Sequence, residues 1–212
     1  MTTREHDRRL ALPTATRRGL LAGAAGVAGS LLVGPMSLRA GTPADITKGP
    51  HEPILKKGDR VSIDEDPETL LQRAYDLGHQ YEGKYGGCSQ CTVAALQDAL
   101  PFVPKDVDVF RAASALDGGS APVNVQNCGG FTGAAMILGY LTGRTRTEKG
   151  FTGGKGLSHN LSHRLYERFK EHYGTVLCRD VRKGAGGDCP KVVGQSARWT
   201  AEILLAEFAP KA

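Results

Sequence analysis

The residues of this 212-residue chain best suited to chemistry are its five cysteines, Cys88, Cys91, Cys128, Cys178 and Cys189. Cys88, Cys128 and Cys189 each stand at or just before a predicted helix start. A helix amino terminus carries unpaired N–H groups and a partial positive charge. Both favour thiolate over thiol, so these positions predict lowered cysteine pKa values. Several cysteines so placed, beside glycine-rich turns, point to thiolate chemistry rather than to inert packing of small apolar side chains. Cys88 and Cys91 also form a Cys-x-x-Cys pair, the arrangement of a thiol–disulfide couple. Four thiolates would equally suit zinc, although structural zinc sites usually come as two close pairs and only one close pair exists here. Covalent c-type haem needs a histidine directly after such a pair. Thr92 occupies that place, so the pattern argues against it.

Other residues carry weaker patterns. His159, His163 and Glu167 recur every four residues on one predicted helix face, a spacing that can bind a metal. Leu161 and Leu165 mark a different face as the buried one, which makes the polar stripe a solvated surface. His79 and His172 are isolated. Gly153-Gly154-Lys155-Gly156 lacks the leading glycine and the trailing Ser or Thr of a phosphate loop. There is no Gly-x-Ser-x-Gly nucleophile elbow.

The elements that must position the cysteines read as helices. Asp66-Pro67-Glu68 supplies a capping carboxylate and a first-turn proline, and Leu70, Leu71, Ala74, Leu77 and Tyr81 follow at helical spacing. Gly83 and Tyr85-Gly86-Gly87 should end that helix. A second begins near Cys88, carries Val93, Leu96 and Leu100 on one side, and stops at Pro101. Val107 to Leu116 is a short third. The fourth starts after Cys128, runs to about Leu141 and is unusually small-sided: Gly129, Gly130, Gly133, Ala134 and Ala135. Such residues let another backbone approach closely. The fifth spans Leu157 to Tyr173, with Leu161, Leu165 and Phe169 in line. A short turn of helix carries Cys178, and the last helix runs from Asp188-Cys189-Pro190 to Phe208, with Val193, Ala197, Leu204 and Phe208 facing inward. Strand signals are scarce, so the expected fold is all-α: a small bundle of five to seven helices.

The amino terminus reads as an address. A polar, basic stretch ends in Thr16-Arg17-Arg18 and is followed by a mild apolar run from Gly19 to Gly34, the layout of an export signal. The Arg pair before Gly-Leu-Leu marks the twin-arginine variant. The apolar run is shorter than the roughly 20 residues a membrane span needs. Residues 1–40 form the predicted signal, with Ala40 the candidate cleavage point, residues 41–65 an extended arm, and residues 66–212 the helical redox domain. Transit would engage the Tat translocase and deliver the protein to the periplasm. The signal holds six basic and two acidic residues, so the remaining chain has 21 basic and 20 acidic. That balance leaves no basic patch for nucleic acid, and no later apolar stretch is long enough for a stable membrane span.

Taken in order, several segments resemble the C-GCAxxG-C-C family of redox proteins, to which the split-Soret cytochromes are related. Tyr85-Gly86-Gly87-Cys88-Ser89-Gln90 is similar to the first cysteine segment, and Gly118-Gly119 stands at the family's glycine-rich loop. Cys128-Gly129-Gly130-Phe131-Thr132-Gly133-Ala134 is similar to the central motif, with Gly130 where alanine is usual. Phe169 and Tyr173-Gly174-Thr175-Val176-Leu177-Cys178-Arg179 match the third segment, and Cys189-Pro190-Lys191-Val192-Val193 the fourth. The resemblance implies a redox centre ligated by Cys88, Cys128, Cys178 and Cys189, with an iron–sulfur cluster as the expected cofactor. Cys91 falls outside those four, as a substitute ligand, a spare thiol or a packing residue. The implied function is electron transfer to or from a redox partner protein. The alternatives are a thiol–disulfide oxidoreductase using Cys88 and Cys91, and a structural domain stapled by zinc or disulfides. Dimerisation of the related cytochromes makes a homodimer the candidate assembly.

Overall fold

A computed structural model describes residues 54–210; the predicted export signal and the arm up to residue 53 lie outside the described residues. Seven α-helices and one small hairpin follow in order: α1 (Pro67–Tyr85), α2 (Cys88–Ala99), α3 (Val107–Ala112) running into a 3-10 turn (Ala113–Leu116), α4 (Gly129–Thr142), β1 (Thr145–Thr147), β2 (Gly150–Thr152), α5 (Gly156–Tyr173), α6 (Cys178–Gly184) and α7 (Cys189–Phe208). The fold is mostly helical, as expected, with one addition. Residues 145–152 form an antiparallel hairpin in which Thr145 pairs with Thr152. Each strand is three residues long, too short for alternation to signal it from sequence.

Local signals explain the helix boundaries. Asp66 caps α1 by accepting from the Thr69 N–H at 3.1 Å, and Asp188 caps α7 by accepting from the Lys191 N–H at 3.0 Å; each cap precedes a first-turn proline. Gly83 does not end α1, which continues to Tyr85 before the left-handed Gly86 and Gly87 turn the chain. Gly174, also left-handed, stops α5.

The predicted apolar faces meet in one core. Leu70, Ala74, Val93, Leu96, Leu100, Leu161, Leu165, Phe169, Val193, Ala197, Leu204 and Phe208 are all buried, while Leu71, Leu77 and Tyr81 pack at its margin. A buried Leu or Phe of this kind contributes about 1.5–3 kcal/mol. α1 and α7 pack backbone to backbone at Gly78 and Gly194: a Cβ on Gly194 would meet the Tyr75 carbonyl oxygen at 2.8 Å. The described part of the arm lies on the bundle, with Leu55 N–H donating to Leu141 O at 2.8 Å and Val61 N–H to Phe208 O at 2.9 Å. No helix among the described residues is long and apolar enough to cross a membrane.

Candidate metal centre

Four cysteines open four helices. Cys88, Cys178 and Cys189 are the first residues of α2, α6 and α7, and Cys128 is the residue before α4. The fold brings these starts together. Cys88, Cys128, Cys178 and Cys189 line one cavity of about 20 Å³, closed by Val181, Arg182, Val192 and Val193. Cys91, one turn along α2, is not among its lining residues; its thiol donates to the Gly86 carbonyl at 3.0 Å. All five thiols are free of disulfides.

Glycines create the space. A Cβ on Gly129 would fall on the Cys88 Sγ, and one on Gly133 on the Ser89 carbonyl oxygen. The small face of α4 therefore receives the first turn of α2. Gly119 lies under Cys178, where a Cβ would meet the Cys178 Cβ at 3.1 Å. The Gly118 N–H points to the Cys88 Sγ at 3.5 Å. Asp117, just before these glycines, accepts from the Ser89 N–H at 2.7 Å and so caps α2 from another part of the chain.

The expectation of lowered thiol pKa values is corrected by burial. Desolvation pushes Cys88 up to about 11 and Cys128 up to about 12, although the Gly118 N–H acts against it at Cys88 and the Gly130 and Phe131 N–H groups act against it at Cys128. Cys91 is likewise pushed to about 12, first by burial and then by the charge of Glu82. Cys178 and Cys189 are raised by burial, with Arg182 pulling both down. The helix-start effect is present and loses, because removing a thiolate from water costs more than a few N–H groups return. Like charges add to this. A Cys178 thiolate raises Cys88, Cys128 and Cys189. Four anions in one small cavity need a cation between them.

The donor set fits such a cation: four sulfurs from four rigid helix starts, the ligand chemistry of zinc or of iron–sulfur clusters. Among the described residues, three buried polar atoms have no hydrogen-bond partner, Glu82 Oε2, Ser89 Oγ and Tyr173 Oη. Each belongs to a residue beside the thiols: Ser89 follows Cys88, Glu82 interacts with Cys91 and Tyr173 with Cys128. Buried polar atoms of this kind are ordinarily satisfied by an ordered water or an ion. Among the described residues, no three His, Cys, Asp or Glu side chains are already drawn to a common metal-binding distance. A metal could be held there only if the thiols drew closer together.

Sequence reasoning did not single out Glu82, Asp117, Tyr173 or Arg182. Asp117 directly precedes the quoted Gly118-Gly119 and Tyr173 opens the quoted third segment, which was the available signal; Glu82 on α1 and Arg182 on α6 lie outside every quoted segment. His163 and Glu167 form an exposed pair at 3.5 Å on the outer face of α5, as the surface reading expected. The Gly153–Gly156 loop borders a separate open cavity of about 1020 Å³ that no cysteine lines.

A helical domain that gathers four thiols from four helix starts around one cavity is, by class, a cysteine-centred protein. The chain belongs to the family described as "Putative redox-active protein (C_GCAxxG_C_C)", whose model matches residues 87–203, more than half of its length. No curated protein and no solved structure matches it.

Proposed function

We propose that this protein is an exported electron carrier whose redox centre is an iron–sulfur cluster held by Cys88, Cys128, Cys178 and Cys189. One observation carries this reading: the four cysteines that open or precede helices line a single cavity, and the fifth does not. A bound cluster would supply one-electron chemistry. The chain's own residues would do the rest. The thiols bind after losing their protons, and the Arg182 charge favours their ionised form. Val181, Val192 and Val193 keep water out. The N–H groups of Gly118, Gly130 and Phe131 donate to sulfur.

The predicted twin-arginine signal supports the same reading, because that route carries folded proteins and a thiolate centre is best assembled before the chain meets an oxidising compartment. Thiol–disulfide exchange is the weaker alternative. An attacking thiol works best with a pKa near ambient pH, and both Cys88 and Cys91 are pushed far above it.

The test is anaerobic purification from a Tat-competent host with measurement of iron, zinc and acid-labile sulfide per chain. Iron with sulfide is expected, lost in Cys88→Ser, Cys128→Ser, Cys178→Ser and Cys189→Ser and kept in Cys91→Ser. Zinc without sulfide would overturn electron transfer. Retention in periplasmic fractions, abolished by Arg17→Lys with Arg18→Lys, tests export.

A further inference from the structure

A two-stranded ledge covers part of the centre. Asn127 pairs antiparallel with Leu177. Cys128 N–H donates to Val176 O at 2.7 Å, Cys178 N–H to Gln126 O at 2.8 Å and Arg179 N–H to Asn124 O at 2.9 Å. Side chains alternate along paired strands and opposite residues share a face. Cys128 and Cys178 are buried toward the cavity. Their neighbours Asn127 and Leu177 therefore face outward; Val125, two residues before Asn127, is exposed as well. Leu177 is 37% exposed, Val125 54% and the adjacent Val123 52%. Leu177 directly precedes Cys178, and Val125 and Val123 lie in the segment that leads into Cys128.

The surroundings of the ledge are basic. Within α6, Arg179, Arg182 and Lys183 are exposed, and Arg179 is paired at 3.1 Å with Asp180, the single acidic residue of that helix. The loop feeding the ledge is held in costly backbone: Ser120, Ala121 and Asn124 have φ of 55°, 56° and 62° without being glycine. Strain of this kind persists where the surrounding structure over-determines it, and it clusters at functional surfaces. Here the Asn124 N–H bond to Gly118 O at 2.8 Å helps fix the loop.

We propose that Val123, Val125 and Leu177, together with the exposed Arg179 and Lys183 of α6, form the docking surface for an acidic electron-transfer protein. This rests on the proposed function and names the partner of the same centre. An apolar middle with a charged rim is the anatomy of a protein interface, and opposite charge speeds encounter. In the exchange one electron passes between partner and centre; one is oxidised as the other is reduced, and no atom moves.

The experiment uses the anaerobically loaded full chain and an acidic [2Fe–2S] ferredoxin, pre-reduced, in stopped-flow, with dithionite as the small reductant. The expected result is a ferredoxin rate that falls about tenfold in Val125→Glu and in Lys183→Glu and falls with added salt, while dithionite reduces all variants alike. Val125→Ser, which adds no charge, should slow the ferredoxin step less. Reduction by dithionite with ferredoxin rates indifferent to salt and to every variant overturns the surface alone. A chain dimer that Val125→Glu dissociates also overturns it, since a second copy then covers the ledge. A chain that dithionite cannot reduce overturns the proposed function and the surface with it.

Discussion

The Cys88 Sγ lies where the first side-chain carbon of Gly129 would stand. The thiol that opens α2 is thus seated against the bare backbone that opens α4, and no L side chain fits between them. The same absence of a Cβ lets Cys88 and Cys128 reach one cavity from different helices.

Gly129→Ala should therefore displace the Cys88 thiol before it disturbs the fold. The expected outcome is loss of bound metal and sulfide with a stability cost of about 1–3 kcal/mol, the usual range for an overpacked methyl group. Metal analysis beside urea unfolding checks both.

Two other glycines of α4 should separate packing from helix propensity. A Cβ on Gly133 would strike the Ser89 carbonyl, which is backbone and cannot turn aside; one on Gly139 has nothing within 4 Å. Gly133→Ala should destabilise strongly by forcing α2 and α4 apart, whereas Gly139→Ala should stabilise by about 0.5–1 kcal/mol. Thermal unfolding of the two variants would give opposite signs.

The metal-free chain should lose stability in alkali. Burial raises Cys128 from 9.0 to about 12 in the folded state. The protonated thiol is the form the fold prefers, so the contribution is complete below pH 9. It is lost as pH rises toward the folded value, when the unfolded chain ionises and the folded one resists. Its size is about 1.4 kcal/mol for each unit of pKa difference. Urea midpoints measured in reductant should fall from pH 9 upward, less steeply in Cys128→Ala. Metal loading should release protons and become tighter as pH rises.

Tyr173→Phe removes a buried hydroxyl that has no partner. In the metal-free protein the change should be neutral or stabilising by up to about 1 kcal/mol, since only an unsatisfied group is lost. Urea unfolding in reductant reads the change.

Much of the fold was legible because helix signals are local. Asp66 with Pro67, Asp188 with Pro190, and Gly174 each act within one turn of the chain, so the start or stop they mark follows from neighbouring residues. The hairpin at 145–152 was not legible, since its short strands are held by each other and by the turn between α4 and α5. Glu82 and Arg182 were missed for a similar reason. Each lies near the thiols it acts on in sequence, Glu82 by Cys88 and Cys91 and Arg182 by Cys178 and Cys189, but a charged side chain on a helix carries no local sign of the thiol it faces.

The sequence by itself determined that four cysteines open or precede helices, that glycines stand beside them, and to which family that order belongs. Only the tertiary structure decided that those four starts converge while Cys91 turns to the Gly86 carbonyl. It also decided the charge state of the thiols. A helix terminus is a short-range property written in three or four residues, whereas desolvation depends on every segment that closes over a group. At Cys128 the second outweighs the first, and burial pushes a thiol that reads as activated up to about 12.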